Sequence, residues 1–118
     1  VDWICRDMRD VADLVNSASV VISNPPYVLE SDKAEMQAHV LEHEPHLALF
    51  VSDEDPLLFY RSIVNQVNSH GPLCRMVVFE THERYAHQVA QLFDDQVWTT
   101  QVHSDLQKKE RMVIAQKK

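Results

Sequence analysis

The sequence is poor in cysteine, with only Cys5 and Cys74 among its 118 residues. Both lie in apolar stretches that are typical of strands. Two isolated cysteines do not make the disulfide framework of a small secreted protein. We therefore expect two buried thiols in a reducing compartment.

A long apolar run is also missing, as is a leader in which positive charge precedes an apolar stretch. A membrane-spanning helix needs about 20 consecutive, mainly apolar residues. We therefore expect a cytoplasmic protein with no membrane partner. The hydrophobic content of 45% fits one globular domain, or a part of one.

Positive charge is scarce, because 11 Lys and Arg stand against 18 Asp and Glu, for a formal net charge of −7. Basic side chains cluster only at Lys108-Lys109 and at Lys117-Lys118. A surface that binds duplex nucleic acid needs a basic patch. Nucleic acid is thus an unlikely partner.

The most informative stretch is Asn24-Pro25-Pro26-Tyr27, which follows the apolar run 20–22. Neither proline can donate a ladder hydrogen bond, so the pattern predicts a strand that ends in a rigid loop. The Asn24 side-chain oxygen and the Pro25 main-chain oxygen could each accept a hydrogen from one planar NH2 group, with Tyr27 against its face. The plainer alternative is a proline-ended strand with a buried tyrosine.

This loop resembles the catalytic loop of amino-methyltransferases that use S-adenosylmethionine, a group that includes adenine-N6 DNA methylases and protein-glutamine methyltransferases. Further motifs resemble the HemK/PrmC family, which methylates the glutamine of peptide chain release factors. These motifs are residues 44–49 (EPHLAL), 55–61 (DPLLFYR), 79–83 (FETHE), Asp105-Leu106 and Arg111.

The resemblance implies S-adenosylmethionine as the cofactor and release factors as the partners. It implies Asn24, Pro25, Pro26 and Tyr27 as catalytic residues, and Asp7, Met8 and Asn24 as cofactor-binding residues. Asp7 is equally well explained as an ordinary turn or helix-cap acid.

The glycine-rich loop that holds the cofactor in such enzymes cannot be present, because Gly71 is the one glycine of the chain. The sequence is therefore interpreted as a C-terminal portion, residues 1–118, of a methyltransferase catalytic domain. Two alternatives stay open: adenine methylation in DNA, and a non-catalytic fragment that binds a partner.

Hydrophobic periodicity predicts an α/β fold that ends in an antiparallel strand pair, and the resemblance implies that this is a partial Rossmann-like methyltransferase fold. The strand 73–79 should be buried on both faces, as in a parallel sheet. The last two strands should be antiparallel, since no helix separates them. In chain order the first predicted elements are a strand at 1–5, a weak helix within 9–19, a strand at 20–23, and a helix at 31–43 capped by Ser31 or Asp32. A helix then runs from Asp55-Pro56 to Gly71, with Tyr60, Ile63, Val64 and Val67 buried. The strand 73–79 is followed by a Thr81-capped helix to Asp94, with Tyr85, Val89 and Leu92 buried, and by strands at 97–102 and 111–115.

Several polar residues lie near these elements without a clear role. His39, His43 and His46 do not have the spacing of a zinc motif, so we interpret them as surface histidines and predict no metal site. Glu44, Glu80 and Glu83 are either acids that shape the substrate cleft or ordinary surface acids.

Overall fold

The computed structural model describes residues 1–35, 42–43 and 45–118. None of the helices in these ranges combines the length and apolar character that a membrane span requires. In chain order the elements are α1 (Ala12–Ser17), β1 (Val20–Ser23), β2 (Val28–Leu29), a 3-10 helix (Glu30–Glu35), α2 (His46–Leu49), β3 (Phe50–Val51), α3 (Leu58–His70), β4 (Met76–Glu80), α4 (Ala86–Ala90), β5 (Trp98–Ser104) and β6 (Glu110–Lys117).

Four of the strands form the main sheet, in the order β1-β4-β6-β5. β1 pairs with β4 in parallel, and β6 pairs antiparallel with both β4 and β5. The predicted α/β class and the antiparallel final strands are thereby confirmed. The short strands β2 and β3 form a separate parallel pair beyond the proline loop.

The core lies on one face of the main sheet. The predicted stripe of α3 is buried as expected and packs in one cluster with Val77 and Phe79 of β4. Side chains alternate between the two faces of the sheet along each strand, and residues that pair across strands point to the same face. The residues between the core positions therefore point to the face opposite the core. On that side, Ile22 is 76% exposed and Met112 is 42% exposed.

The prediction that the 73–79 strand is buried on both faces is therefore wrong. The strand begins at Met76, and Val78, which pairs with Ile22 and Ile114, is only partly buried. No element in the described ranges covers this side. We call it the open face of the sheet, formed by Val20, Ile22, Val78, Met112 and Ile114.

The predicted strand at residues 1–5 is not formed. A strand needs a partner for its backbone groups, and no described residue pairs with this segment; Trp3 is 94% exposed. The expectation of two buried thiols is half right, since Cys74 is buried whereas Cys5 is exposed.

The start of α3 differs from its prediction. The helix begins at Leu58 with Leu57 as its N-cap residue, and no side chain caps it. The Asp55 carboxylate instead accepts hydrogen bonds from Arg61, at 2.8 and 3.1 Å. The predicted end before Gly71 is confirmed.

Thr81 does not cap the following helix, because α4 is short and its N-cap residue is Tyr85. The Thr81 backbone N–H donates to the Arg111 carbonyl oxygen, which joins the end of β4 to β6. Of the three predicted apolar positions, Val89 is buried, while Tyr85 and Leu92 are half-buried.

The predicted 31–43 helix falls partly outside the described residues. Its first residues form the 3-10 helix, and residues 36–41 lie outside the described ranges, as does Glu44. The weak helix within 9–19 is confirmed as α1.

Candidate functional site

The proline loop leaves the sheet where two parallel strands end. Ser23 of β1 pairs with Phe79 of β4, so Asn24 and Glu80 follow their strands at the same edge. Loops that extend from the carboxyl ends of parallel strands are the usual ligand sites of α/β sheets. The loop predicted to be catalytic therefore lies at such an edge.

Asn24 is exposed and lines a cleft of about 480 Å³ beside the sheet edge. Within the described part of the chain, its side-chain amide has no hydrogen-bond partner. The amide is thus open to a ligand. The cleft is lined by Ile22, Ser23, Asn24, Val78, Glu80, Asp105, Arg111 and Met112.

The two prolines anchor the loop in the protein interior. Both are buried, and Pro25 is less than 2% exposed. In this conformation the Pro25 carbonyl oxygen therefore has little open surface. The role predicted for Asn24 fits the observed geometry directly, whereas the role predicted for Pro25 requires the loop to shift.

Tyr27 is half-buried and its hydroxyl donates a hydrogen bond to Glu80 Oε1 at 2.9 Å. Its ring meets the His82 ring in an edge contact, with centroids 6.3 Å apart. Burial, and then the hydrogen bond to Glu80, raises the pKa of Tyr27. The tyrosine is therefore a neutral donor, and its contacts run toward the end of β4.

Glu80 is held a second time through its backbone. The Tyr60 hydroxyl of α3 donates to the Glu80 carbonyl oxygen at 3.0 Å, and burial raises the pKa of Tyr60. The sequence marks Glu80 only as a possible cleft acid and predicts neither contact. The one indication of a site role for Glu80 is its position at a strand end, because parallel strands in register place the ends of β1 and β4 side by side.

Asp105 and Arg111 complete the polar side of the cleft. The Asp105 carboxylate accepts backbone hydrogen bonds from Gln107 at 2.8 Å and Lys109 at 3.0 Å, which closes the loop between β5 and β6. Its other oxygen lies 3.8 Å from Arg111 Nε. Asp105 thus shapes the loop that carries it.

Asp7 and Met8 do not line the Asn24 cleft but a separate pocket of about 360 Å³, with Pro26 and Phe59. The Asp7 carboxylate accepts hydrogen bonds from Arg9, including its backbone N–H at 2.8 Å and Nη2 at 2.6 Å. These bonds lower the pKa of Asp7 to about 2. The carboxylate is therefore ionised at neutral pH.

Gln66 of α3 fixes this segment, a role that the sequence does not predict. Its Nε2 donates to the Met8 carbonyl oxygen at 3.0 Å, and its Oε1 accepts from the Val11 N–H at 2.7 Å. Nothing in the local pattern marks Gln66 for this role, because Met8 and Val11 are more than fifty residues away.

The residues present suit one end of S-adenosylmethionine. Met8, Pro26 and Phe59 offer apolar surface for an adenine ring, and the adjacent Asp7 carboxylate can accept from an amino or hydroxyl group. The glycine-rich loop that would cradle the amino-acid end cannot come from this chain, whose one glycine is Gly71. The donor set fits the cofactor in part.

No group of His, Cys, Asp and Glu in the described ranges is arranged to hold a metal ion. His43 is exposed, and His39 lies outside those ranges. Glu83 lies 3.6 Å from Lys109 and lines a separate pocket near the β5–β6 loop.

The chain is similar to proteins of known name over most of its length. It is 39% identical over 100 residues to a release factor glutamine methyltransferase of Bacteroides thetaiotaomicron, a match that covers 84% of this chain and 36% of that protein. It is 32% identical over 114 residues to a protein of the same name from Flavobacterium psychrophilum, covering 96% and 40%.

A bifunctional methyltransferase of Rickettsia bellii is 33% identical over 95 residues, covering 80% of this chain and 17% of that protein. No protein-family model matches the chain. The coverages of the three relatives show that the chain spans well under half of their length. Because proteins of one name match most of it, as the motifs predicted, the chain belongs to the HemK/PrmC family of release factor glutamine methyltransferases.

Proposed function

We propose that residues 1–118 are the C-terminal portion of a methyltransferase catalytic domain, whose full-length enzyme methylates the side-chain amide nitrogen of a glutamine in peptide chain release factors. We place this enzyme in the cytoplasm and take S-adenosylmethionine as its cofactor. The observation that carries the proposal is the exposed Asn24 amide on a proline loop at the carboxyl edge of the sheet.

The architecture supports this placement. A parallel pair, β1 and β4, is connected through α3, and the antiparallel strand β6 then inserts between β4 and β5. We interpret the sheet as one half of a Rossmann-like methyltransferase fold. The other half would carry the glycine-rich loop that this chain lacks.

The main contribution that this reaction requires from the protein is to position the substrate amide. A glutamine amide nitrogen is a weak nucleophile because its lone pair is delocalised into the carbonyl group. An acceptor that holds one N–H fixes the nitrogen and favours the partial positive charge that develops on it. Asn24 Oδ1 is the acceptor that the open cleft presents.

The remaining residues complete the site. When bound, S-adenosylmethionine supplies the methyl group, and Asp7 and Met8 would hold its adenine end. The Pro25 carbonyl oxygen would accept the second N–H of the substrate after a small shift of the loop. The proton lost from nitrogen can pass to water in the open cleft, so we assign no general base.

The test is methyl transfer from labelled S-adenosylmethionine by the full-length enzyme, with a release factor and duplex DNA as separate substrates. We expect label in the release factor, on a glutamine identified by mass spectrometry. A release factor with that glutamine replaced by asparagine is the matched control and should stay unlabelled. Label in adenine would favour the DNA alternative, and label in neither substrate would favour a non-catalytic protein.

A further inference from the structure

The proline loop is connected to the end of β4 by a side-chain hydrogen bond, from the Tyr27 hydroxyl to Glu80 Oε1. The donor and acceptor are 53 residues apart in the chain. Among the described residues, no other hydrogen bond between side chains links residues 24–27 to the main sheet. The loop direction therefore depends on this contact and on the packing of the prolines.

Glu80 is suited to orient the loop because two separate sets of contacts fix the position of its backbone. Its backbone belongs to β4, which pairs with β1 on one side and β6 on the other. Its carbonyl oxygen also accepts the Tyr60 hydroxyl of α3. A side chain whose backbone is held by both sheet and helix starts from a fixed position, from which its carboxylate reaches the loop tyrosine.

The side chains of Glu80 and Asn24 line the same cleft, but they differ in what engages them. Asn24 has no partner within the described part of the chain, whereas Glu80 Oε1 is occupied by Tyr27. Tyr27 in turn contacts His82 with its ring edge. The Glu80 carboxylate is therefore engaged by the loop, while the Asn24 amide is free to meet a ligand.

We propose that Glu80 is a positioning residue, which acts through the Tyr27 hydroxyl to aim the Asn24 amide at the substrate. This inference rests on the function proposed above. It assigns Tyr27 an anchoring role in place of stacking on the substrate amide. Geometry errors near 1 Å at such a site can lower turnover by roughly 100-fold.

The test uses the full-length enzyme with Glu80→Ala, Glu80→Gln and Tyr27→Phe. Loss of the hydrogen bond in Glu80→Ala or Tyr27→Phe should lower kcat by roughly 10- to 100-fold, with KM for the release factor changed much less. Glu80→Gln should restore most of the turnover, because an amide oxygen still accepts the tyrosine hydroxyl. The double variant Tyr27→Phe with Glu80→Ala should be no worse than either single one.

Glu83→Ala is the matched control, since this glutamate lies three positions later and lines a different pocket. It should leave kcat unchanged. A Glu80→Gln variant as slow as Glu80→Ala would overturn the proposal, because the charge would then matter and the hydrogen bond would not. Additive losses in the double variant would overturn it too.

Amide hydrogen exchange across residues 24–29 provides a readout that does not depend on activity. Exchange should be faster in Glu80→Ala and Tyr27→Phe, and unchanged in Glu80→Gln. If the wild-type enzyme labels no release factor, the proposed function fails, and exchange still decides whether Glu80 holds the loop. Unchanged exchange in all variants would refute the positioning role.

Discussion

Asn24 combines exposure with a fixed backbone, since the two residues that follow it are buried prolines. If its side-chain oxygen holds the substrate amide, Asn24→Ala in the full-length enzyme should lower methyl transfer on the order of 10²–10³, as for loss of one oriented polar contact. Folding should barely change, because no described residue bonds to this side chain.

Turnover and thermal unfolding measured on the same variant check the Asn24 prediction. Asn16→Ala is the control, because Asn16 is exposed on α1, away from the cleft. Near-normal turnover in Asn24→Ala would refute the assigned role. Global unfolding would show that Asn24 is needed for structure instead.

Lys108 holds a left-handed backbone conformation, with φ of 63°, in the loop that Asp105 closes. This conformation costs a residue with a Cβ about 1–2 kcal/mol, which exceeds the entropy that glycine loses on folding. Lys108→Gly should therefore raise the free energy of unfolding by about 0.5–1 kcal/mol. Denaturant titration measures it, and Gln107→Gly, at a neighbour without positive φ, should be destabilising.

His82 makes stability depend on pH. Burial lowers its pKa, as do Arg111 and Arg84, while Glu83 and Asp32 act in the opposite direction. The unfolded chain, with a pKa near 6.5, thus binds a proton before the folded chain does, and stability should fall as the pH drops below about 7. His82→Gln should flatten part of this slope in unfolding measured as the pH is lowered; an unchanged slope would assign it to other groups.

At the scale of elements, α3 meets α1 at a close approach. A Cβ on Gly71, just after α3, would lie 2.8 Å from the Val67 carbonyl oxygen and 2.9 Å from Val15 Cγ1. Backbone cannot move aside as a flexible side chain can. Gly71→Ala should lower the free energy of unfolding by about 1–3 kcal/mol, the usual cost of overpacking.

Denaturant unfolding of the full-length enzyme measures the effect of Gly71→Ala. Ser69→Ala is the control, because Ser69 is exposed two positions earlier in the same helix. Equal stability of the two variants would mean that α1 yields easily at this contact.

Elements whose cause is local were predictable from the sequence. The apolar stripe of α3 and the strands β1 and β6 follow from side-chain periodicity, which needs no knowledge of neighbours. Asp55 was predicted wrongly as a cap because its carboxylate found Arg61. The prediction of a strand at 1–5 was wrong because no described strand pairs with this segment, and a local sequence pattern does not reveal the presence of a partner.

The candidate site divides in the same way. Asn24 could be found from the sequence because one short motif contains the whole loop. The bonds from Tyr27 to Glu80 and from Gln66 to Met8 could not, because each joins residues more than fifty positions apart. Long-range polar pairs leave no mark on either local stretch.

At the scale of the whole molecule, the proposed function leaves the chain with contacts to only part of the cofactor. Asp7, Met8 and Asn24 are present, but the glycine-rich loop is not, and these few contacts cannot offset the cost of immobilising a flexible ligand. We expect residues 1–118 alone to bind S-adenosylmethionine negligibly and to transfer no methyl group.

Isothermal titration of the 118-residue chain with S-adenosylmethionine checks this expectation, with the full-length enzyme as the positive control. A micromolar dissociation constant for the chain alone would show that the missing loop matters less than its absence suggests. S-adenosylhomocysteine, which lacks the transferable methyl group, should give the same result as S-adenosylmethionine.

The parallel pairing of β1 with β4 has a kinetic consequence. The proline loop and Glu80 come together only after the chain between them, which includes α3, has folded back. Closing a loop of this length costs entropy before any contact offsets it, and such non-local pairings form slowly. During synthesis Asn24 leaves the ribosome long before its anchor does, so methyl-transfer competence should arise late, after β4 has joined the sheet.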